Sequence, residues 1–322
     1  MPEGPEVRRF ADQLHSVLAH QPIAQLTART QQAKRWLAAH EEALSDRTIQ
    51  RVSTHGKNLL GWIEGEYYFH AHLMMWGRWL TFTGVPPEEV DRRERARIVT
   101  PTGGAILLSA PIFQLGQGNP YEQIETLRLL GCDILPQPGE SFDVAQFQQR
   151  LFAPEQVQRS LGAALLEQSI VAGIGNYLRA EILFLCRLDP WKQVGDLTPS
   201  EFEQLCQMIP QIAQRAYETA GVTVLEGDRV RMQQDASLVY RLGSEFGSHH
   251  YVFRRTNLPC LRCATPIRQQ KQQVNPDTKD EKTRIIYFCP VCQNTSIPLK
   301  TPRTKSRSTV KSSACFSSSC SN

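Results

Sequence analysis

No run in the 322 residues approaches the ~18 consecutive apolar residues that a membrane-spanning helix needs, so no membrane partner is expected. A secretory leader is missing as well, because Glu3 and Glu6 stand ahead of any apolar stretch. Strong charge excess is missing too. A formal charge of +4 permits a nucleic-acid partner without demanding one, and it says nothing about fold. There is no internal repeat and no even cysteine framework. Of nine cysteines, four form two tight pairs, Cys260/Cys263 and Cys289/Cys292, a spacing that suits a metal in a reducing compartment better than bridges in an oxidising one. Cys132, Cys186 and Cys206 lie in apolar surroundings and read as small hydrophobes, while Cys315 and Cys320 belong to the tail. These absences predict a soluble, cytoplasmic protein that is not secreted, long enough for two domains with cores of their own.

From Pro5 to about His20 the apolar positions Val7, Phe10, Leu14, Val17 and Leu18 recur at helical spacing. Between Ile23 and Ser109, short β-rich runs such as 49–52, 59–63, 67–72, 79–82 and 105–108 are broken by turn residues and predict a compact antiparallel sandwich or barrel. Residues 84–97 read as a surface loop. The Pro/Gly-punctuated stretch 130–139 reads as a linker, beyond which the hydrophobic period changes from two to 3.6. Helices are predicted over 144–151, 160–171, 177–186 and, behind the capping signal Thr198-Pro199-Ser200-Glu201, over 201–220. Residues 221–248 read as a loop, and the Ser/Thr/Lys-rich stretch 301–322 predicts disorder. The fold class is α+β.

The first candidate for chemistry is Pro2-Glu3-Gly4-Pro5-Glu6. Once Met1 is trimmed, Pro2 carries a secondary amine, and such an amine attacking a sugar aldehyde carbon gives an iminium that activates the neighbouring carbon for elimination. An α-amino group has a pKa near ~8, so part of it is neutral near pH 7. Glu3 sets a carboxyl beside it, suited to proton transfer. The same residues also read as a plain helix lead-in with Pro5 in the first turn. A second candidate is the cysteine set: Cys260, Cys263, Cys289 and Cys292 supply four thiolates for one tetrahedral zinc, a closed structural site. The segment between has β character, with Arg284 at or near the tip of a zinc-clamped hairpin. A third is 171–179, where Gly173 and Gly175 let the backbone turn tightly and the following helix start aims N–H groups at an anion such as a phosphate. It also reads as a turn and nothing more.

Four features occur together and in order: Pro-Glu-Gly-Pro-Glu at the N-terminus; Ser53-Thr54-His55-Gly56-Lys57 before an apolar strand; Gly173-Ile174-Gly175-Asn176-Tyr177-Leu178-Arg179; and a four-cysteine finger with Arg284 five residues before Cys289. From Pro2 to about Gln293 this combination resembles the formamidopyrimidine-DNA glycosylase and endonuclease VIII (Fpg/Nei) family of bifunctional DNA repair enzymes. The resemblance implies an N-terminal helix on a catalytic β-sandwich domain (2–130), a helix-two-turn-helix DNA-binding domain (140–248), a zinc finger (249–297) and a disordered tail (301–322). It implies one structural Zn2+, no organic cofactor, and damaged double-stranded DNA as partner. It also implies a monomer in the cytoplasm, associated with the nucleoid of a prokaryote-like cell.

By motif position, Pro2 resembles the nucleophile that attacks the sugar C1′, and Glu3 the proton donor in glycosidic cleavage and ring opening. Glu6 resembles a supporting carboxylate, and Lys57 a phosphate-binding proton donor in β-elimination. Asn176 and Arg284 resemble the pair gripping phosphates that flank the lesion, with Arg284 also implicated in δ-elimination. The stretch from His72 through Met74, Met75 and Trp76 resembles the loop that fills the void left by an extruded base. Read without the family, these last residues also suit the core face of a strand. Pro-Glu-Gly-Pro in place of Pro-Glu-Leu-Pro, and the lack of an Arg-Arg-Phe loop in 109–114, favour oxidised pyrimidines as substrates. Met74 in place of a glutamine and a finger hairpin lengthened at 275–282 depart from the endonuclease VIII pattern. The rival readings are an oxidised-purine glycosylase of the same family and a non-catalytic zinc-finger DNA-binding protein.

Overall fold

The computed structural model describes residues 2–40, 43–88, 91–243, 245–274 and 282–295. The predicted disordered tail (301–322) and all but the last residue of the insertion in the finger hairpin (275–282) lie outside the described residues.

Helix α1 (Gly4–Leu18) starts where Pro5 presets the helical φ and the Glu6 carboxylate accepts the Glu3 N–H at 2.8 Å. Its apolar stripe of Val7, Ala11, Leu14 and Leu18 is buried in the sandwich core. Truncating Leu14 to Ala would cost about 2–5 kcal/mol, since the residue has no exposed surface to lose it to.

The chain continues through β1 (Gln21–Pro22), β2 (Gln25–Ala28), α2 (Gln31–Ala39), β3 (Thr48–His55), β4 (Asn58–Ile63), β5 (Tyr67–His72), β6 (Arg78–Thr83), β7 (Glu94–Thr100), β8 (Gly103–Leu108) and β9 (Ile112–Gln117). These strands form two antiparallel sheets, β1-β3-β4-β5-β9 and β2-β7-β8-β6. Strand β4 reads as one apolar run because both of its faces are covered. Leu59 and Ile63 enter the sandwich core, while Leu60 and Trp62 face a small second core closed by α3 (Pro120–Gln123) and α4 (Glu125–Arg128). The β3–β4 hairpin turns on Gly56 and Lys57, with Gly56 at φ +56°; a Cβ there would lie 2.8 Å from Gly173 N, so only glycine lets this turn approach the helical half.

The helical half follows through β10 (Cys132–Asp133), α5 (Val144–Leu151), α6 (Leu161–Ala164), β11 (Val171–Ala172), α7 (Asn176–Leu185), α8 (Pro199–Glu218) and α9 (Glu226–Gln234). Helix α8 opens with the predicted capping box, in which Thr198 and Glu201 satisfy each other's backbone N–H groups. Four expectations are corrected. The surface loop expected over 84–97 runs into β7, which begins at the buried Glu94. The helix expected over 160–171 is a single turn, because residues 171–172 leave it to pair in parallel with β10. The loop expected over 221–248 contains α9, and a further helix, α2, interrupts the β region. The finger hairpin is β12 (Arg268–Gln273) against β13 (Thr283–Phe288). No helix among the described residues is long and apolar enough to cross a membrane.

The halves are stapled through α1. Arg9 Nη1 donates to Tyr217 O at 3.0 Å, the Tyr217 hydroxyl to Asp12 Oδ2 at 2.8 Å, and Arg8 Nη1 to Pro136 O at 3.4 Å.

Candidate active site

The N-terminal turn is buried against the turn that precedes α7. Gly4 N–H donates to Gly173 O at 2.9 Å. Glu3, almost fully buried, sends its carboxylate away from α1 and onto the start of α7, where Oε2 accepts from Gly175 N (2.8 Å) and Leu178 N (3.2 Å) and Oε1 from Tyr177 N (2.9 Å). These are the N–H groups that the sequence reading aims at a phosphate. In the fold the acceptor on them is the Glu3 carboxyl, whose charged form the positive end of α7 favours against its burial.

Burial pushes the Glu3 carboxyl up to about 7, with the Lys57 charge and the α7 N–H groups opposing the rise and the Glu6 charge adding to it. Burial likewise raises Glu6 and lowers Lys57, whose ammonium is drawn back up by the two carboxylates. Lys57 Nζ donates to Ile174 O at 2.6 Å, tying the β3–β4 turn to the same segment that carries Asn176. Two carboxyls raised by burial and an amine lowered by it thus sit together, next to half-buried Pro2.

Lys57, Gly175, Asn176 and Arg284 line one open cavity of about 280 Å3. Asn176 is the first residue of α7, and its Oδ1 accepts from Arg179 Nη2 at 2.7 Å. Arg284 is exposed, one residue inside β13 and opposite Gln272, so its guanidinium faces the cavity mouth from the hairpin. His72 lies at the end of β5, its Nδ1 accepting the Met74 N–H at 3.1 Å, and burial together with the Lys57 charge lowers it to about 4. Met74, Met75 and Trp76 are 44 %, 61 % and 78 % exposed, which excludes the core reading. Three consecutive large apolar side chains in solvent form a loop suited to insertion into an apolar partner.

Arg179, Tyr177 and His70 were not among the sequence candidates. Arg179 has no exposed surface. Its two Nη atoms reach Gly162 O, Gln272 Oε1, Asn176 Oδ1 and Ile285 O at 2.7–3.1 Å, joining α7 to both strands of the finger hairpin. Tyr177 sits in the quoted motif, yet its hydroxyl contact to Glu6 has no local signal. His70 is buried between Asn58 and Gln114.

The four cysteines converge at the base of the hairpin, with all Sγ atoms within 4.8 Å of one another; Cys260 to Cys292 is 3.8 Å and Cys263 to Cys289 is 3.4 Å. A tetrahedral zinc with bonds of about 2.3 Å sets sulfur–sulfur edges of roughly 3.8 Å, so the set fits such an ion.

Residues 1–109 match the formamidopyrimidine-DNA glycosylase N-terminal domain, and residues 130–226 match the formamidopyrimidine-DNA glycosylase H2TH domain, together well over half of the chain and in the family's order. The chain belongs to the Fpg/Nei family of DNA glycosylase/AP lyases. Among its relatives, endonuclease 8 of Pectobacterium carotovorum is 28% identical over 293 residues, covering 91% of this chain and all of the relative. Endonuclease 8 of Escherichia coli O9:H4 is 27% identical over 295 residues with the same coverage. Among solved structures, Lactococcus lactis Fpg (MutM) in complex with DNA containing N7-benzyl-Fapy-dG superposes with a TM-score of 0.69 at 24% identity, over 91% of this chain and 99% of that one. MutM in complex with DNA containing carbocyclic 8-oxo-G gives 0.70 over the same shares. At that identity the likeness to the solved structures is one of fold. Family membership sets aside the non-catalytic reading.

Proposed function

We propose that this glycosylase removes oxidised pyrimidines from damaged duplex DNA through a Schiff base on Pro2 and then nicks the strand. The observation that carries the reading is the buried Glu3 carboxyl, raised to about 7 and held one residue from the Pro2 nitrogen, so that a proton donor and a nucleophile share one turn.

With Met1 removed, the Pro2 nitrogen uses its lone pair to bond C1′. The bond from C1′ to the base breaks, and its electron pair leaves with the base, which takes up a proton. Glu3 gives its proton to the ring oxygen in the same excision step, the C1′–O4′ bond breaks, and the Pro2 nitrogen sheds its N–H proton to solvent as the Pro2–C1′ bond becomes an iminium. Solvent then takes a C2′ proton, the C2′–C3′ double bond forms and the 3′ phosphate leaves with the C–O electron pair, Lys57 supplying it a proton; a second elimination near Arg284 expels the 5′ phosphate. Asn176 and Arg284 grip the flanking phosphates across the cavity they share with Lys57. Met74, Met75 and Trp76 fill the gap in the stack.

The preference for pyrimidines is supported by the endonuclease 8 relatives and by the β8–β9 connection. It has only three residues, Ser109, Ala110 and Pro111, with Ala110 fully buried, which leaves no second wedge to join Met74–Trp76. Cys260, Cys263, Cys289 and Cys292 would hold one structural zinc ion, whose part would be to fix the β12–β13 hairpin.

Borohydride reduction tests the reading. Zinc-replete protein shown to lack Met1 should give a covalent adduct on an oligonucleotide with an abasic site or 5,6-dihydrouracil. No adduct would sink the Schiff-base mechanism. Excision of 8-oxoguanine opposite cytosine faster than of dihydrouracil or thymine glycol would overturn the choice of substrate.

A further inference from the structure

Tyr177 touches both carboxyls of the N-terminal turn. Its backbone N–H donates to Glu3 Oε1 and its hydroxyl donates to Glu6 Oε1, each at 2.9 Å. Glu6 uses its other oxygen for the Glu3 N–H. The tyrosine ring is not free to swing. It packs against His250 at 5.2 Å and Phe253 at 6.1 Å between ring centroids. His250 Nδ1 lies 3.1 Å from Thr223 Oγ1, which donates to Glu181 Oε2 at 2.7 Å. Glu181, buried in α7 itself, accepts the N–H groups of Tyr251, Val252 and Phe253. A hydroxyl fixed from behind by this framework is aimed at one oxygen of one carboxylate.

We propose that Tyr177 is a positioning residue whose hydroxyl holds Glu6 in its charged form beside Glu3, and so keeps on Glu3 the proton that base excision consumes. The inference rests on the reading of Glu3 as proton donor. Two carboxyls in one site cannot both ionise freely; Glu3 is almost fully buried and Glu6 only half-buried, so the charge is less costly on Glu6, where the Glu3 N–H and the Tyr177 hydroxyl support it, and Glu3 retains its proton. Both rise through burial, but the rise of Glu6 is opposed by the Glu3 N–H and by the Tyr177 hydroxyl, while the charge on Glu6 adds to the rise of Glu3. The other groups facing Glu6 are the chain's N-terminal amine and Arg9 on its own segment, Lys57 from the β3–β4 turn, and His250 behind the tyrosine ring. Arg9 borders a cavity of about 180 Å3 with Glu6. The cations among them also favour a charged Glu6, so removing one hydroxyl biases the pair without dismantling the site.

Tyr177→Phe keeps the ring and deletes that donor. The measurement is single-turnover excision of dihydrouracil against pH. We expect the alkaline limb of the variant to move down by about half a pH unit or more, because Glu3 gives up its proton earlier once Glu6 is less charged. Borohydride trapping on a preformed abasic site should stay within about threefold of wild type. Glu6→Gln should move the limb the same way, and the double variant no further than Glu6→Gln alone, since both changes act on one charge. A Tyr177→Phe limb that coincides with wild type, with or without a uniform loss of rate, would reduce Tyr177 to a packing residue and overturn the inference, as would additive shifts. If wild type itself forms no adduct, the Schiff-base function falls and this inference with it; an adduct with an unmoved limb sinks the inference alone.

Discussion

Gly175→Ala puts the geometry of Glu3 to the test with one methyl group. Gly175 has φ −124° and lies in extended backbone, so alanine strains nothing in the main chain. Its Cβ, however, would stand 2.3 Å from Glu3 Cδ and 2.4 Å from Oε1. Ordinary carbon contacts settle near ~3.5 Å, so the carboxyl has to retreat by about 1 Å. The atom that must move is the far end of a side chain, and the overpacking should therefore cost about 1–3 kcal/mol of stability without loss of the fold. The retreat breaks the three N–H contacts from Gly175, Tyr177 and Leu178 that aim the carboxyl. Misplacement of a catalytic group by about 1 Å costs on the order of 100-fold, and that is the expected loss in single-turnover excision. Trapping on a preformed abasic site, where no glycosidic bond remains to be cleaved, should fall much less. Excision within about fivefold of wild type would refute the claim that the α7 start aims Glu3. Global unfolding, seen by circular dichroism, would refute the claim that the side chain alone absorbs the clash.

Because Glu3 is raised to about 7, excision should decline as pH rises through that value and Glu3 loses the proton it donates. The native state then holds a proton that the unfolded chain releases near pH 4.5, so stability falls as pH rises from about 4.5 to 7, by on the order of 3 kcal/mol; Glu3→Gln should flatten that slope in urea unfolding at pH 5 and pH 8. Arg179→Ala unpairs contacts to both strands of the finger hairpin and to Asn176, and should cost about 3 kcal/mol or more while zinc content is kept. Arg179→Lys should not rescue it, since one ammonium cannot span the acceptors that a planar fork reaches; recovery of wild-type stability would refute this. Arg284→Ala should weaken binding to damaged duplex and lower the salt dependence by about one charge, and unchanged affinity at two salt concentrations would speak against a phosphate contact.

The elements that could be read from sequence are those whose burial leaves a trace. Strands β4 and β5 and helix α7, covered on nearly all sides, leave near-continuous apolar runs, while α1, α5 and α8 leave a helical stripe, and α8 adds a capping box that marks its first turn. Helices α2 and α9 carry little apolar surface, with one buried residue each, Ala33 and Met232, so no stripe announces them. The predicted helix over 160–171 fails for a different reason. Val171 and Ala172 are drawn out by β10, about forty residues earlier, and a pairing of that range has no local signature. The same limit applies at the site. Residue types and order single out Pro2, Glu3, Lys57, Asn176 and Arg284, but the helix start at α7 looks aimed at a phosphate until the chain brings Glu3 onto it from 172 residues away. Arg179 is illegible for a related reason. An arginine in a sequence reads as surface, and only the fold reveals acceptors enough to bury its guanidinium.

The candidate site belongs to neither half of the molecule alone. Glu3 and Gly4 come from the start of α1, Lys57 from a sandwich hairpin, and the groups they bond, from Gly173 to Leu178, all come from the helical half. If the halves part, Glu3 loses its N–H donors and gains water. The loss of donors raises its pKa and solvation lowers it; burial is the largest cause of the shift, so solvation wins and the carboxyl returns toward its ordinary range. Lys57 is released from Ile174 O at the same time and, once solvated, moves back up toward its ordinary range. A proton donor poised near neutrality therefore exists only while the halves are closed, and the Arg9–Tyr217 and Tyr217–Asp12 contacts between α1 and α8 help to keep them so. Asn176 and Arg284 line the same cavity as Lys57, so a DNA strand held there as proposed would bridge both halves and favour the arrangement in which Glu3 holds its proton.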